Sequence, residues 1–554
     1  MRLNASSSVF AEFCESAKGY WKSNILPPAA ATYIVVEILH EEIRVALRNL
    51  TLANALRRLI PARLVVVTGT DPFWLDALYA EFDVSRVRQL AQAFAADEVV
   101  DLHQAVDRYV DDPSRAGRLF EDWAPARPGS AGPGIRPVDL QRNVESTVCR
   151  LLGLPHPTEA PGAAEIRRRT EGLAEAYQEL FDRLRPSAFV TSHVDYNHWG
   201  LGVQAAQRFG APIVHTQSTG GLKAYAWYPE HAHGREPMRA QLTRRIGETF
   251  ERNVWPRRDL LRRSAELIAW RSKGNLGRPS WWRGGATASV DLRTPTERMQ
   301  VRELAARRLE LDPSRPVVGV FNHAVSDAPG TNVETFDDLA AWYEETARHA
   351  VEDRRVNWLF LDHPKQSLYD TTGFFERLAD DHRDHRHMVF RPSDTISKNF
   401  MWSLVDVGVT VRGSVSNELP AYGIPAIQAG WSEWSSCGFT AVADDQDAYW
   451  KLLDEHIEAS LDGRSTLSGE QVERARLWHW LYRSGADVAS PIVPHWDELD
   501  GEVMLTSLRV HMRHVEADGD PAFVAVSRMW NRREPFLTRF DLSSSDDVEA
   551  SVLS

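Results

Sequence analysis

The chain has 554 residues, well past the length at which one hydrophobic core stops growing, so two large domains are expected. Hydrophobic residues make up 43% and charged residues 25%, which excludes a chain disordered throughout. The net charge is -13 and the basic residues are scattered rather than gathered into a stripe, which excludes a nucleic-acid partner.

Met1 to Phe10 holds no basic segment followed by an apolar run, and no window approaches 18 uninterrupted apolar residues. A cytoplasmic protein is expected, or one at the inner face of a membrane. Cys14, Cys149 and Cys437 are far apart and odd in number, which argues against a disulfide framework and fits a reducing compartment.

Along the chain, Tyr33–Ile38 reads as a strand, Leu52–Leu59 as helical and Leu64–Val67 as a second strand. Asp112–Pro137 is rich in Pro, Gly, Ala and Ser and predicts a long surface loop. A clearer β-α-β unit follows: strand Ala188–Thr191, helix Asn197–Phe209, strand Ile213–Thr216. Units of this kind bring the loops after successive strands to one sheet edge, where open α/β folds bind ligands.

The stretch Lys273–Thr296, with Trp281 and Trp282 among its Gly, Pro and Ser residues, predicts an interdomain linker. The tryptophan pair suits domain packing, the reading we prefer, or a peripheral membrane contact. Five strands are then expected at Val317–Phe321, Trp358–Leu361, Met388–Phe390, Val405–Val411 and Ala426–Gln428, alternating with helices in a doubly wound parallel sheet. The predicted domains are 1–285, 286–490 and a C-terminal extension 491–554.

The segment VDVGVTVRGSVSNELPAYGIPAIQAGWSEWSSCGFT, Val405–Thr440, carries the most specific pattern. Valines at every second position predict a strand with one apolar face, ending at Arg412 and Gly413. Ser414 and Ser416 lie where the chain must turn from strand to helix, and Ser416 is expected to cap a helix with Asn417 and Glu418 in its first turn. Such a turn offers amides and hydroxyls to a phosphate, and a carboxylate at Glu418 suits a ribose diol.

A second motif, Leu361-Asp362-His363-Pro364-Lys365, follows a predicted strand, and its imidazole and ammonium suit a phosphate. His323, after the first strand of the second domain, is a third candidate for the phosphates or the leaving group. In the first domain, Ser192–His198 carries His193 and Asp195, either of which would serve as a general base toward an acceptor hydroxyl. His215, Gln217 and Ser218 close the next strand. His382, His385 and His387 lie among arginines without a second cluster, so they read as a solvated loop and no metal or other cofactor is expected.

Arg412, Gly413, Ser414, Glu418, Gly423-Ile424-Pro425, Gly430 and Gly438-Phe439-Thr440 together resemble the bacterial capsular polysaccharide transferases, including the β-Kdo transferase type, within the GT-B superfamily. The resemblance covers mainly residues 317–440, with a weaker echo over 187–221. It implies two Rossmann-type domains facing a cleft and transfer of a sugar from a nucleotide-sugar donor to a surface polysaccharide or glycolipid. It also implies that His363-Pro364 grips the phosphate of a CMP-activated sugar. Gln217–Gly221 departs from the family pattern by lacking the acidic residue of a Gly-Glu turn, which leaves the donor and the base open. A sugar-nucleotide epimerase of the same fold and a non-catalytic glycan-assembly protein are the alternatives.

Overall fold

A computed structural model describes residues 6–77, 79, 81–110, 137–218, 220–232, 237–272, 295–327, 334–363, 372–396, 398–494 and 500–544. It contains two compact units. The first comprises residues 1–151, 159–242 and 484–554, and the second comprises 152–158 and 243–483. The division therefore falls at 242/243 rather than at 285, and the segment expected as a separate extension belongs to the first unit. The predicted linker from 273 to 294 and the predicted loop from 112 to 136 lie outside the described residues.

The first unit is built on a sheet ordered β3-β2-β1-β4-β5-β6: β1 Tyr33–Ile38, β2 Arg63–Thr68, β3 Glu98–Asp101, β4 Ala188–Thr191, β5 Ile213–Ser218 and β6 Leu222–Trp227. The pairs are parallel except β5 with β6, a hairpin with Ser218 opposite Leu222. β1 and β2 are apolar almost without interruption because helices cover both faces of a parallel sheet. Helix Ile43–Arg57 is buried on nearly every side, and its two buried arginines donate to carbonyls: Arg48 to Pro494 O at 3.0 Å and Arg57 to Ala62 O at 3.0 Å.

The C-terminal segment explains its own place. Val488 bridges Leu222, and the Leu537 amide donates to Ala224 O at 2.9 Å, so the returning chain covers the edge strand β6. Met504, Leu505, Val526 and Met529 join the same core as β1 and β2.

The second unit repeats the order, β9-β8-β7-β10-β11-β12, with every pair parallel. Its strands are β7 Val317–Phe321, β8 Asn357–Leu361, β9 Met388–Arg391, β10 Val407–Thr410, β11 Ala426–Gln428 and β12 Ala441–Val442. Each sheet thus runs 3-2-1-4-5-6 in its own chain order, the arrangement of a Rossmann-type dinucleotide-binding fold. β10 is shorter than predicted, and both of its faces are buried rather than one. Gly408 makes this possible, since a Cβ there would lie 2.2 Å from Leu419 Cδ1 on the helix that covers the strand.

Candidate functional site

In a 3-2-1-4-5-6 sheet the strand order reverses between the first and fourth strands, and the loops leaving those two carboxyl ends part to leave a crevice. In the second unit these strands are β7 and β10, which pair side by side. The loop after β7 carries His323, the loop after β10 carries Arg412, Gly413 and Ser414, and the neighbouring β8 leads into Asp362 and His363. Three sequence-predicted groups separated by up to about a hundred residues are thereby gathered on one sheet edge. Pro364 and Lys365 lie outside the described residues.

Hydrogen bonds fix this edge. The Thr410 hydroxyl donates to Phe321 O at 3.0 Å, joining the two strand ends, and the Gly413 amide donates back to that hydroxyl at 3.3 Å. A Cβ on Gly413 would stand 2.8 Å from Thr410 Oγ1, so the turn tolerates little beyond glycine. The Arg412 amide donates to His323 Nε2 at 3.3 Å, which places the ring proton on Nδ1. Burial, reinforced by the charges of Arg412 and His363, holds the His323 pKa well below the usual imidazole value. His323 is therefore a neutral Nδ1–H donor. Asp362 is occupied by the Ser393 amide at 2.6 Å.

The turn itself differs from the sequence expectation at its cap. The helix is Val415–Ala421 and its N-cap is the exposed Ser414, not Ser416. Ser416 is buried, donating to Gly413 O at 2.8 Å and accepting from Trp434 Nε1 at 3.1 Å, so its hydroxyl serves the turn from inside. The reason is that Gly413 O already bonds the Ser416 amide, starting the helix two residues early. Among the described residues, nothing accepts from the amides of Ser414 and Val415.

The remaining predicted residues have protein partners. Arg412 pairs with the buried Glu334, and Glu418 accepts from Arg483 Nη2 at 3.0 Å and Ser414 Oγ at 3.5 Å. Asn417 is fully buried, with His479 Nδ1 at 3.5 Å from its Oδ1. Glu334 and Arg483 were not singled out from the sequence, where nothing local marks either.

The first unit has an equivalent edge between β1 and β4. Its organiser is Glu37, fully buried near the end of β1, which accepts from the Leu39 amide at 2.9 Å, the Ser192 amide and hydroxyl at 2.6 Å each, and Asn49 Nδ2 at 3.0 Å. One carboxylate thus ties the loop after β1 to the loop after β4. Sequence reasoning missed it because it sits inside an apolar strand.

On the β4 loop, His193 Nδ1 accepts the Asp195 amide at 3.2 Å and lies 3.7 Å from Asp195 Oδ2. Asp195 does not cap the following helix; its carboxylate is gripped by Arg239 through both Nε, at 3.3 Å, and Nη2. His193 Nδ1 is thus occupied by the Asp195 amide, and the Asp195 carboxylate faces a guanidinium. His215, at the far end of the same cluster, is pushed down to about 3 by burial together with the charges of His193 and Arg239. Tyr196, next to Asp195, has φ of +63°, an uncommon conformation for a ring-bearing residue that marks local strain.

Among the described residues, no group of three His, Cys, Asp or Glu is placed to hold a metal ion, and no helix is long and apolar enough to cross a membrane.

Fold and sites together define an α/β protein with two Rossmann-ordered sheets, each carrying polar side chains at its strand-order reversal. No protein-family model and no curated protein matches the chain. Among solved structures it is similar to Anabaena HepE in complex with UDP-glucose, at 10% identity and a TM-score of 0.28, over 87% of this chain and 98% of that one. It is similar to sucrose-phosphate synthase from Thermosynechococcus elongatus, at 13% identity and a TM-score of 0.30, over 81% of this chain and 96% of that one. It is also similar to Neisseria meningitidis UDP-GlcNAc 2-epimerase bound to UDP-GlcNAc, at 11% identity and a TM-score of 0.26, over 80% and 97%.

Proposed function

We propose that this protein is a nucleotide-sugar enzyme of GT-B type, a glycosyltransferase whose second unit binds the donor and whose first unit receives a glycan or lipid-linked acceptor. One observation carries the reading: His323, His363 and the Arg412–Ser414 turn converge at the strand-order reversal of the second sheet. In this reading the Nδ1–H of His323, the imidazole of His363, Lys365 and the exposed Ser414 hydroxyl take the phosphate oxygens. Arg412, its charge shared with Glu334, supplies positive potential rather than a bidentate grip. Glu418 faces the ribose hydroxyls.

Preorganised donors around a departing nucleotide phosphate are the larger catalytic contribution, since charge develops there as the glycosidic bond breaks. On the acceptor side, His193 and Asp195 orient the hydroxyl. Either becomes a base only if the acceptor displaces the contact that occupies it, Asp195 N–H for His193 or Arg239 for Asp195.

A thermal-shift panel of CMP, CDP, UDP and GDP tests the donor site, and UDP-glucose and UDP-GlcNAc, the ligands of two structures above, are the first sugars to add. A nucleotide at 100 times its Kd stabilises the folded state by about 2.7 kcal/mol. His363→Ala and Ser414→Ala should each diminish the shift. No stabilisation by any of the four nucleotides refutes the reading. Epimerisation of a nucleotide sugar without an acceptor would replace transfer with isomerisation at the same site.

A further inference from the structure

A helix behind the donor turn reaches into it. Helix Gly469–Trp480, started by a Ser468–Gln471 capping box, continues into the single π turn Leu481–Gly485. At intervals of three and four residues it contacts the helix of the turn. Arg476 Nε donates to Ala421 O at 3.0 Å, His479 Nδ1 lies 3.5 Å from Asn417 Oδ1, and Arg483 Nη2 donates to Glu418 Oε1 at 3.0 Å. The first contact falls on Ala421, the last residue of that short helix, and the other two on Asn417 and Glu418 in its first turn, so the Arg483 guanidinium lies against the carboxylate assigned to the ribose.

Arg483 is held there firmly. Its guanidinium lies over the Tyr482 ring at 5.1 Å, and Tyr482 in turn packs on Trp434 at 5.8 Å, whose indole N–H bonds Ser416 inside the turn. The Arg483 and Glu418 side chains are 14% and 3% exposed, so each is the main countercharge of a partner withdrawn from water. Glu418 Oε1 receives both Arg483 and Ser414 Oγ, the one exposed hydroxyl of the turn. Arg483 Nε is buried with no hydrogen-bond partner among the described residues, although such a donor ordinarily finds one.

We propose that Arg483 is a positioning residue for the nucleoside of the donor: it supplies the countercharge of Glu418 and sets the angle at which that carboxylate meets the ribose 2′- and 3′-hydroxyls. The inference rests on the donor-site reading above. It assigns ribose recognition jointly to a residue at the sheet edge and one on the backing helix. Arg476, His479 and Arg483 share one helix face through their spacing of three and four residues, and Arg483 lies within the π turn that ends the helix.

The test is the ratio of affinities for UDP, or whichever diphosphate the panel selects, and its 2′-deoxy analogue, measured by calorimetry on the full chain. Wild type should prefer the ribonucleotide about tenfold or more, as expected for a hydroxyl bonded to a carboxylate. Glu418→Gln should reduce that preference to within about threefold of unity, and Arg483→Gln should reduce it equally. Because Arg483→Gln leaves a buried charge unpaired, Arg483→Lys is measured beside it; it keeps the cation, loses the fork geometry, and should lower the ratio partway. A ratio unchanged in Arg483→Lys, or in a folded Arg483→Gln, overturns the inference and leaves the donor site standing. Absence of any nucleotide binding by wild type overturns the donor site itself. Nucleotide binding without ribose preference in wild type removes the role of Glu418 and with it that of Arg483.

Discussion

The neutral tautomer of His323 makes the sharpest demand on experiment. Replacing it with alanine removes two things at once. The Arg412 amide, 3.3 Å from Nε2, loses its acceptor in a half-buried turn, which costs about 1–3 kcal/mol of stability if water does not fill in. In the proposed donor site the Nδ1–H is also lost to a charged phosphate oxygen, a contact worth about 1.5–3 kcal/mol, so nucleotide affinity should fall about 10- to 150-fold. Calorimetric titration of wild type and His323→Ala with UDP, each well below its melting transition, measures the second term separately from the first. Because burial and neighbouring charges keep the folded pKa well below the usual value, the imidazole signals of His323 should stay in the neutral form from pH 8 to 6 in NMR spectra. An unchanged Kd in His323→Ala, or an imidazolium signal growing in near pH 6.5, would refute the reasoning.

Arg239→Ala should destabilise the first unit by about 3 kcal/mol in denaturant unfolding, because Asp195 is only 7% exposed and would keep a charge without its guanidinium; Arg239→Lys should recover part of that loss. His198 is fully buried, accepts the Asp71 amide at 3.3 Å and has its pKa pushed down to about 3 by burial. Its unfolded form binds a proton below about pH 6.5 while the folded form does not, so stability is lost as pH falls from there, by about 1.4 kcal/mol per pH unit from this group. His198→Gln should show a correspondingly shallower acid slope in chemical denaturation between pH 6 and 4. A Cβ at Gly221 would stand 2.3 Å from the backbone oxygen of Val488, so Gly221→Ala should loosen the C-terminal strap over β6, read as faster amide exchange at Leu222 and Leu537.

Much of the fold was legible in the sequence because parallel strands buried on both faces are uninterrupted apolar runs, and β1, β4, β7 and β11 stand at the bounds those runs give. The strands the sequence reading passed over, β3, β6 and β12, all lie at sheet edges. In two of them the apolar signal weakens or shortens, since β3 is half-buried throughout and β12 has two residues; β6 is buried throughout, but among the described residues only the returning C-terminal chain covers its outer edge. The candidate site was legible for a related reason. Alternation of strand and helix forces every strand-end loop to one edge of its own sheet, so His193 and Asp195 in the first sheet, and His323, His363 and the Arg412–Ser414 turn in the second, could each be placed at such an edge from the rhythm alone.

What only the tertiary structure decided is who meets whom. Arg412 with Glu334, Asp195 with Arg239 and Glu418 with Arg483 are pairs 78, 44 and 65 residues apart, and no local period relates their members. The burial of Ser416 under Trp434, the tautomer of His323, and the return of residues 484–554 to the first unit follow from contacts of the same long-range kind. Periodicity records how each segment meets the core, and it fixes where a functional group emerges. The charge state and direction of that group are set by its partner, which arrives from elsewhere in the chain.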